Sequence, residues 1–245
     1  MEDMKKEIPK MLDEHDKSDE NQFRQIIPIL LKKGLENLDL SMFDDETKEK
    51  LLSAAGDEYL KRGKIQDALK IFKFIKNKQK LVEVGDQNFR LALYSNAIDA
   101  YILAEDYHRL EKAAEKCLHE GHLTEAIKGF IALKDPEKLN RVGEYCLERQ
   151  NYELAIEVYS AISNTEKLIK TGDMCKTHNL LHLSLKAYEL AGNKVKINSI
   201  GDEFLRRGIL KDALLAYKKA DNHVMIKFFE ENFKEQLEKQ YRDYL

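Results

Sequence analysis

Tryptophan is absent from this 245-residue sequence, proline occurs three times, cysteine three times and glycine eleven times. So few turn-forming residues exclude collagen-like and proline-rich classes and fit poorly with a turn-rich sandwich or barrel. An odd number of cysteines argues against the paired disulfide framework of a secreted domain. The longest apolar stretch, Ile26 to Leu31, falls far short of the ~20 residues that cross a bilayer, so no membrane insertion is expected. Met1 to His15 carries Glu2, Asp3, Lys5, Lys6 and Glu7 with no apolar core, which predicts no secretory signal and a cytoplasmic location. Bulk charge of one sign is missing too. Lysine plus arginine number 41 against 44 for aspartate plus glutamate, a net charge of -3, too balanced for a nucleic-acid protein that works by gross electrostatics.

What the chain does have is 43% hydrophobic and 35% charged residues, enough for a core but with a large wetted surface. Both fit an elongated, mostly helical protein. Self-similar segments begin at Gly56, Gly85, Ala114, Gly143, Gly172 and Gly201, each 29 residues after the last. Counting from 1 at those residues, position 14 is always Leu or Ile, from Leu69 to Leu214, and position 26 likewise, from Leu81 to Ile226. Position 17 is aromatic throughout: Phe72, Tyr101, Phe130, Tyr159, Tyr188 and Tyr217. Position 13 is small, Ala68, Ala97, Ala126, Ala155, Ser184 and Ala213. Positions 10, 13, 14, 17 and 20 form the stripe of an amphipathic helix.

Punctuation divides each repeat into two helices. Position 8 is Gly63, Gly121, Asn179 and Gly208, residues suited to the left-handed conformation that closes a helix, whereas Ala92 and Gln150 break the column. Position 22 is Asn77, Asp106, Asp135, Asn164, Asn193 and Asn222, all good N-caps, and Asp135 is followed by Pro136, tolerated at a first helical position. The unit predicted is a helix of about 11 residues, a turn and a helix of about 14, with short connections forcing antiparallel neighbours.

In this frame, Gly56, Gly63, Ile65, Ala68 and Phe72 fall at the offsets of the tetratricopeptide consensus, which the sequence resembles from 56 to 229. The unit is shorter than that family's, about 34 residues. Its period is also similar to the helical hairpins of clathrin heavy chain and related coat and transport proteins. The resemblance implies an all-α, right-handed α-solenoid of stacked antiparallel helix pairs, working as a protein-interaction scaffold without a cofactor.

Four segments are expected: a flexible arm at 1–21, an N-terminal helical cap with a degenerate repeat at 22–55, six repeats at 56–229, and the end of a capping helix at 230–245. In the degenerate repeat, Leu31, Gly34, Leu40 and Phe43 fall on positions 5, 8, 14 and 17. Asn222 to Leu245 reads as one long helix whose charge fits an outer face.

Chemistry-bearing residues resolve mostly into repeat positions. Cys117, Cys146 and Cys175 all occupy position 4, an apolar helix-face slot where a thiol packs as a small hydrophobe. The patterns Cys117-x-His119-x-x-His122 and Cys175-x-x-His178-x-x-x-His182 do not converge as a zinc site requires, so no metal is expected. Motifs for a nucleophile elbow, a P-loop or a dinucleotide fingerprint are missing, and no enzyme is predicted.

Position 2 is acidic in every repeat: Asp57, Asp86, Glu115, Glu144, Asp173 and Asp202. With the helix orientation that the tetratricopeptide resemblance implies, these acids line the concave surface and favour a basic peptide. Phe89, Arg90, His119, Lys176 and Arg206 stand beside them as candidate contacts. The competing reading pairs Asp57 with Lys61, Asp86 with Arg90 and Asp202 with Arg206 at i, i+4. Position 25 is basic in Lys80, Arg109, Lys138, Lys167 and Lys196, ending at Met225. Without interleaved aromatics it reads as a solvated face rather than a nucleic-acid stripe. The expected function is a non-enzymatic scaffold or adaptor, a monomer, for a peptide or helix of a partner protein. The alternatives are a regulatory peptide sensor or an adaptor autoinhibited by its own arm, and a self-assembling coat or transport-complex component.

Overall fold

The computed structural model describes residues 27, 40–41, 43–234 and 236. The arm at 1–21, most of the N-terminal cap and the tail with Tyr241, Tyr244 and Leu245 lie outside the described residues. Among the described residues there are thirteen helices and no strand. In chain order they are α1 (Asp45–Lys61), α2 (Ile65–Phe74), α3 (Lys78–Arg90), α4 (Tyr94–Ala104), α5 (Tyr107–Glu120), α6 (Leu123–Leu133) and α7 (Pro136–Glu148), then α8 (Tyr152–Ala161), α9 (Thr165–Thr177), α10 (Leu181–Leu190), α11 (Lys194–Arg206), α12 (Leu210–Lys219) and α13 (His223–Asn232).

Every helix expected from an N-cap at position 22 begins there. The side chains of Asn77, Asp106, Asp135, Asn164, Asn193 and Asn222 each accept the backbone amide of the residue three further on, at 3.0 to 3.1 Å. That satisfies one of the donors a helix start leaves unpaired. Asp44 caps α1 in the same way, accepting from Thr47 at 2.7 Å.

The turns reveal more than the glycines announce. Position 8 is left-handed at Gly63, Gly121, Asn179 and Gly208, and equally at Ala92 (φ 57°) and Gln150 (φ 59°). The column is therefore intact in backbone conformation, because closing the first helix needs that geometry whatever the side chain. Position 21 is left-handed as well, at Lys76, Glu105, Lys134, Ser163, Gly192 and Asp221. The sequence offers only one glycine to signal it.

The chain packs as two units, Met1–Cys117 and Leu118–Leu245, with the division inside α5. In the first, α1 packs on α2 and α3 on α4, while α2 contacts both α3 and α4. Its core gathers Leu52, Ala55, Tyr59, Ala68, Leu69, Ile71, Phe72, Leu81 and Val84, and Leu40, at position 14 of the degenerate repeat, packs against it. In the second, α7 pairs with α8, α9 with α10 and α11 with α12, and the second helices α6, α8 and α10 also touch in succession. Each apolar stripe is thus buried by its own hairpin and the next, the packing logic of a repeat protein.

Position 1 explains its own residue. A Cβ at Gly85, Gly143, Gly172 or Gly201 would stand 2.5 to 2.8 Å from the position-17 tyrosine ring of the same repeat. In these four repeats glycine lets the two helices approach across that ring, whereas Ala114 takes the position opposite Phe130. At the C-terminal end the single helix expected over 222–245 is interrupted: α13 ends at Asn232, and Phe233 adopts φ -125°, ψ 11°.

Candidate functional site

The acidic column is the natural candidate, and its carboxylates are already engaged within the chain. Asp57 receives Lys80 Nζ at 3.0 and 3.3 Å, and Asp86 receives Arg109 Nε at 3.0 Å. Glu144 receives Lys167 Nζ at 2.9 Å and Asp173 receives Lys196 Nζ at 2.6 Å. Each base sits 23 residues after its acid, on the next first helix, so the pairs bridge α1 to α3, α3 to α5, α7 to α9 and α9 to α11. The i, i+4 reading is therefore corrected: Asp57 and Asp86 bond Lys80 and Arg109 in place of Lys61 and Arg90. Arg206 forms its ion pair with Glu203.

The position-17 tyrosines add a second donor to the same oxygens. Tyr101 Oη donates to Asp86 at 2.8 Å, Tyr188 Oη to Asp173 at 2.6 Å and Tyr217 Oη to Asp202 at 2.7 Å. The glycine at position 1 lets the ring cross the first helix, the acid next to it meets the phenol, and the base at position 25, whose own amide is capped by position 22, closes the set. These pairs are half-exposed, so each ion pair contributes at most ~1 kcal/mol, whereas a phenol donating to a carboxylate adds ~1.5–3 kcal/mol.

Electrostatics agree with the geometry. Partial burial pushes the Asp173 carboxyl up, but hydrogen bonds from Lys196 and Tyr188 outweigh it and hold the group below its ordinary range. Lys167 holds Glu144 down in the same way. Burial first, and then the bonded carboxylate, push Tyr101, Tyr188 and Tyr217 upward.

Acid, phenol and base come together at Asp86 and Asp173. Phe72 and Phe130 offer no hydroxyl to Asp57 and Glu115, and two further repeats each lack one bond of the set. Glu144 reaches Lys167, and the Oη of buried Tyr159 has no hydrogen-bond partner among the described residues. Asp202 has its tyrosine, but Met225 stands where the base belongs. Glu115 lies exposed on α5.

Of the flanking candidates, Phe89 packs edge-on against Tyr94, centroids 5.7 Å apart, and Lys176 donates to Ser199 at 2.6 Å. Both are tied into the fold, while Arg90, His119 and Arg206 project into solvent. The three cysteines are buried thiols, and burial pushes Cys146 and Cys175 up to about 11, which keeps them protonated and unreactive. His178 Nδ1 lies 2.9 Å from the Met174 carbonyl and 3.2 Å from Tyr152 Oη. His182 stacks on Phe204 at 5.1 Å and faces Asp212 at 3.6 Å, so the two histidines serve different helices.

Beyond the ladder, a hollow of about 820 Å³ opens between α1 and α2, lined by Leu40, Leu52, Ile71, Phe74 and Ile75 together with the charged Asp45, Glu49, Lys48, Lys70 and Lys76. Sequence reasoning missed it, and it missed the tyrosine hydroxyls as ladder donors. The 23-residue interval between positions 2 and 25 is the signal that could have found the ion pairs. Neither the protein-family models nor the curated proteins gave a match to this sequence.

Proposed function

We propose that the protein is a non-enzymatic scaffold or adaptor whose hairpins, stacked within each unit as a tetratricopeptide-like right-handed α-solenoid, present first-helix surfaces to a peptide or helix of a partner protein. The observation that supports this is the division of labour between repeat positions. Positions 1, 13 and 17 are buried and position 22 caps a helix in every hairpin, and acid and base at positions 2 and 25 fasten several of them, while the exposed positions vary freely. Position 28 reads Glu83, Lys112, Arg141, Lys170, Ser199 and Phe228, and position 6 reads Lys61, Arg90, His119, Glu148, Thr177 and Arg206. A rigid, repeated backbone carrying an unrepeated surface is suited to recognition by shape and local chemistry. A basic ligand drawn to Asp57, Asp86, Glu144 or Asp173 competes with a lysine or arginine already bonded there, so specificity resides in the varied positions instead. The cytoplasm suits a chain whose cysteines stay reduced.

Display of natural protein segments against the full chain tests this reading. Enrichment of related segments, weakened by charge reversal at exposed first-helix positions and retained by Asp86→Asn and Asp173→Asn proteins that remain folded, is the expected result. Failure to enrich any segment over the heat-denatured chain overturns it.

A further inference from the structure

The outward face of the first helices changes character at the end of the second unit. Positions 24 and 28 lie one turn apart on the same face of a first helix. They are polar or charged in the earlier helices: Gln79 and Glu83, His108 and Lys112, Glu137 and Arg141, Glu166 and Lys170. On α11 position 24 becomes Val195, 79% exposed, and on α13 the two positions become Val224, 78% exposed, and Phe228, 41% exposed. Two bonds clamp the first turns of these helices together: Lys194 Nζ to Asp221 at 2.6 Å and Asn222 Nδ2 to Asn198 at 3.0 Å. The residues beside those bonds, Val195 and Val224, therefore stand on neighbouring ridges.

The same face of α11 carries Asp202, two turns beyond Val195. Four other ladder acids hold a lysine or arginine, whereas Asp202, exposed, accepts only the Tyr217 hydroxyl among the described residues. Its missing base is the residue 23 positions on, Met225. An exposed apolar patch beside a carboxylate prepared by a fixed hydrogen bond and lacking its cation is an incomplete site with a stated complement.

Resting on the scaffold reading, we propose that α11 and α13 form the docking surface for a helical segment of a partner protein. That segment carries apolar side chains one turn apart and, two turns from the first, a lysine or arginine. The apolar side chains cover Val195, Val224 and Phe228, and the partner's cation takes at Asp202 the place that Lys196 takes at Asp173.

The test is selection of a phage-displayed library of 16-residue peptides on the full chain, followed by titration of the enriched peptides by fluorescence anisotropy. Enriched sequences are expected to combine aliphatic or aromatic residues with a lysine or arginine at that spacing. Val224→Asp and Asp202→Asn should each weaken binding about tenfold or more, as loss of a central anchor does. The decisive variant is Met225→Lys, which supplies the cation within the chain: it should stay folded, as circular dichroism checks, and yet bind the peptide about tenfold more weakly. Peptides that bind equally to the parent and to Met225→Lys overturn the patch while leaving the scaffold reading standing. Enriched peptides without a basic residue overturn it as well. A concentration-dependent dimer abolished by Val224→Asp would make a second copy of this chain the occupant and reject a heterologous partner.

Discussion

Asp173 Oδ1 and Lys196 Nζ stand 2.6 Å apart on successive first helices, and Tyr188 Oη donates to the same oxygen, also at 2.6 Å. One carboxylate thereby joins three helices, α9, α10 and α11. The arrangement turns a column of acids from a ligand surface into a fastening between hairpins.

The pH dependence follows from the depressed Asp173 pKa. Because the folded value lies below the ordinary one of about 3.9, the stabilisation is complete above that pH and is lost as pH falls through the folded value. Lys196→Met removes the cation, so the Asp173 carboxyl should titrate higher by NMR than in the parent. An unchanged titration midpoint would show that Lys196 does not reach the carboxylate in solution.

Tyr159 and Tyr188 occupy the same repeat position with opposite consequences. The Tyr188 hydroxyl serves Asp173, whereas that of Tyr159 is buried without a partner. Tyr188→Phe should cost about 1.5–3 kcal/mol through a lost hydrogen bond to a charged group, and Tyr159→Phe should be neutral or stabilising by up to ~1 kcal/mol. Equal losses in denaturant titrations of the two variants would contradict the difference. Glu144→Asp, which restores the shorter acid found opposite Tyr188, should raise the loss seen on Tyr159→Phe.

The helices and their limits were legible because the repeat supplies six readings of each position. An N-cap or a core aliphatic seen once is ambiguous, but Asn77, Asp106, Asp135, Asn164, Asn193 and Asn222 in one column leave little choice. The ladder was only half legible. Its acids and bases were visible as separate columns, yet helical spacing directs attention to neighbours such as Lys61 and Arg90, and the partners come from the next hairpin. The left-handed turns at Lys76 and Glu105 were hidden because those residues carry no preference for that conformation. The gap at Asp202 was visible as Met225 at the end of the basic column, but it has no meaning until positions 2 and 25 are known to pair.

Those hidden turns make a prediction about stability. Ala92 and Gln150 hold φ of 57° and 59°, a region that costs an L-residue about 1–2 kcal/mol. Glycine avoids most of that cost but is more flexible when unfolded. Ala92→Gly and Gln150→Gly should each stabilise the chain by roughly 0.5–1 kcal/mol, a rise in melting temperature of about 1–4 °C. Calorimetry of the single and double variants checks the sign and the additivity. A lower melting temperature for both would mean that the turns relax to another conformation in solution.

The contact at Gly172 makes the opposite prediction, because adding a methyl group to a helical glycine ordinarily helps. Alanine is favoured over glycine within a helix by about 1 kcal/mol. At Gly172, however, a Cβ would lie 2.5 Å from Tyr188 Cε1, and that ring is anchored through its hydroxyl to Asp173. The ring cannot retreat without giving up the hydrogen bond, so the overpacking cost of about 1–3 kcal/mol outweighs the gain in propensity. Gly172→Ala should therefore lower stability, and Tyr188→Leu in the same chain should make the alanine better tolerated, since the shorter side chain vacates the space. A double-mutant cycle measured by urea unfolding separates the two effects. If the loss caused by alanine is the same with tyrosine or leucine opposite, the contact between the first helix and the position-17 ring is not what sets the approach.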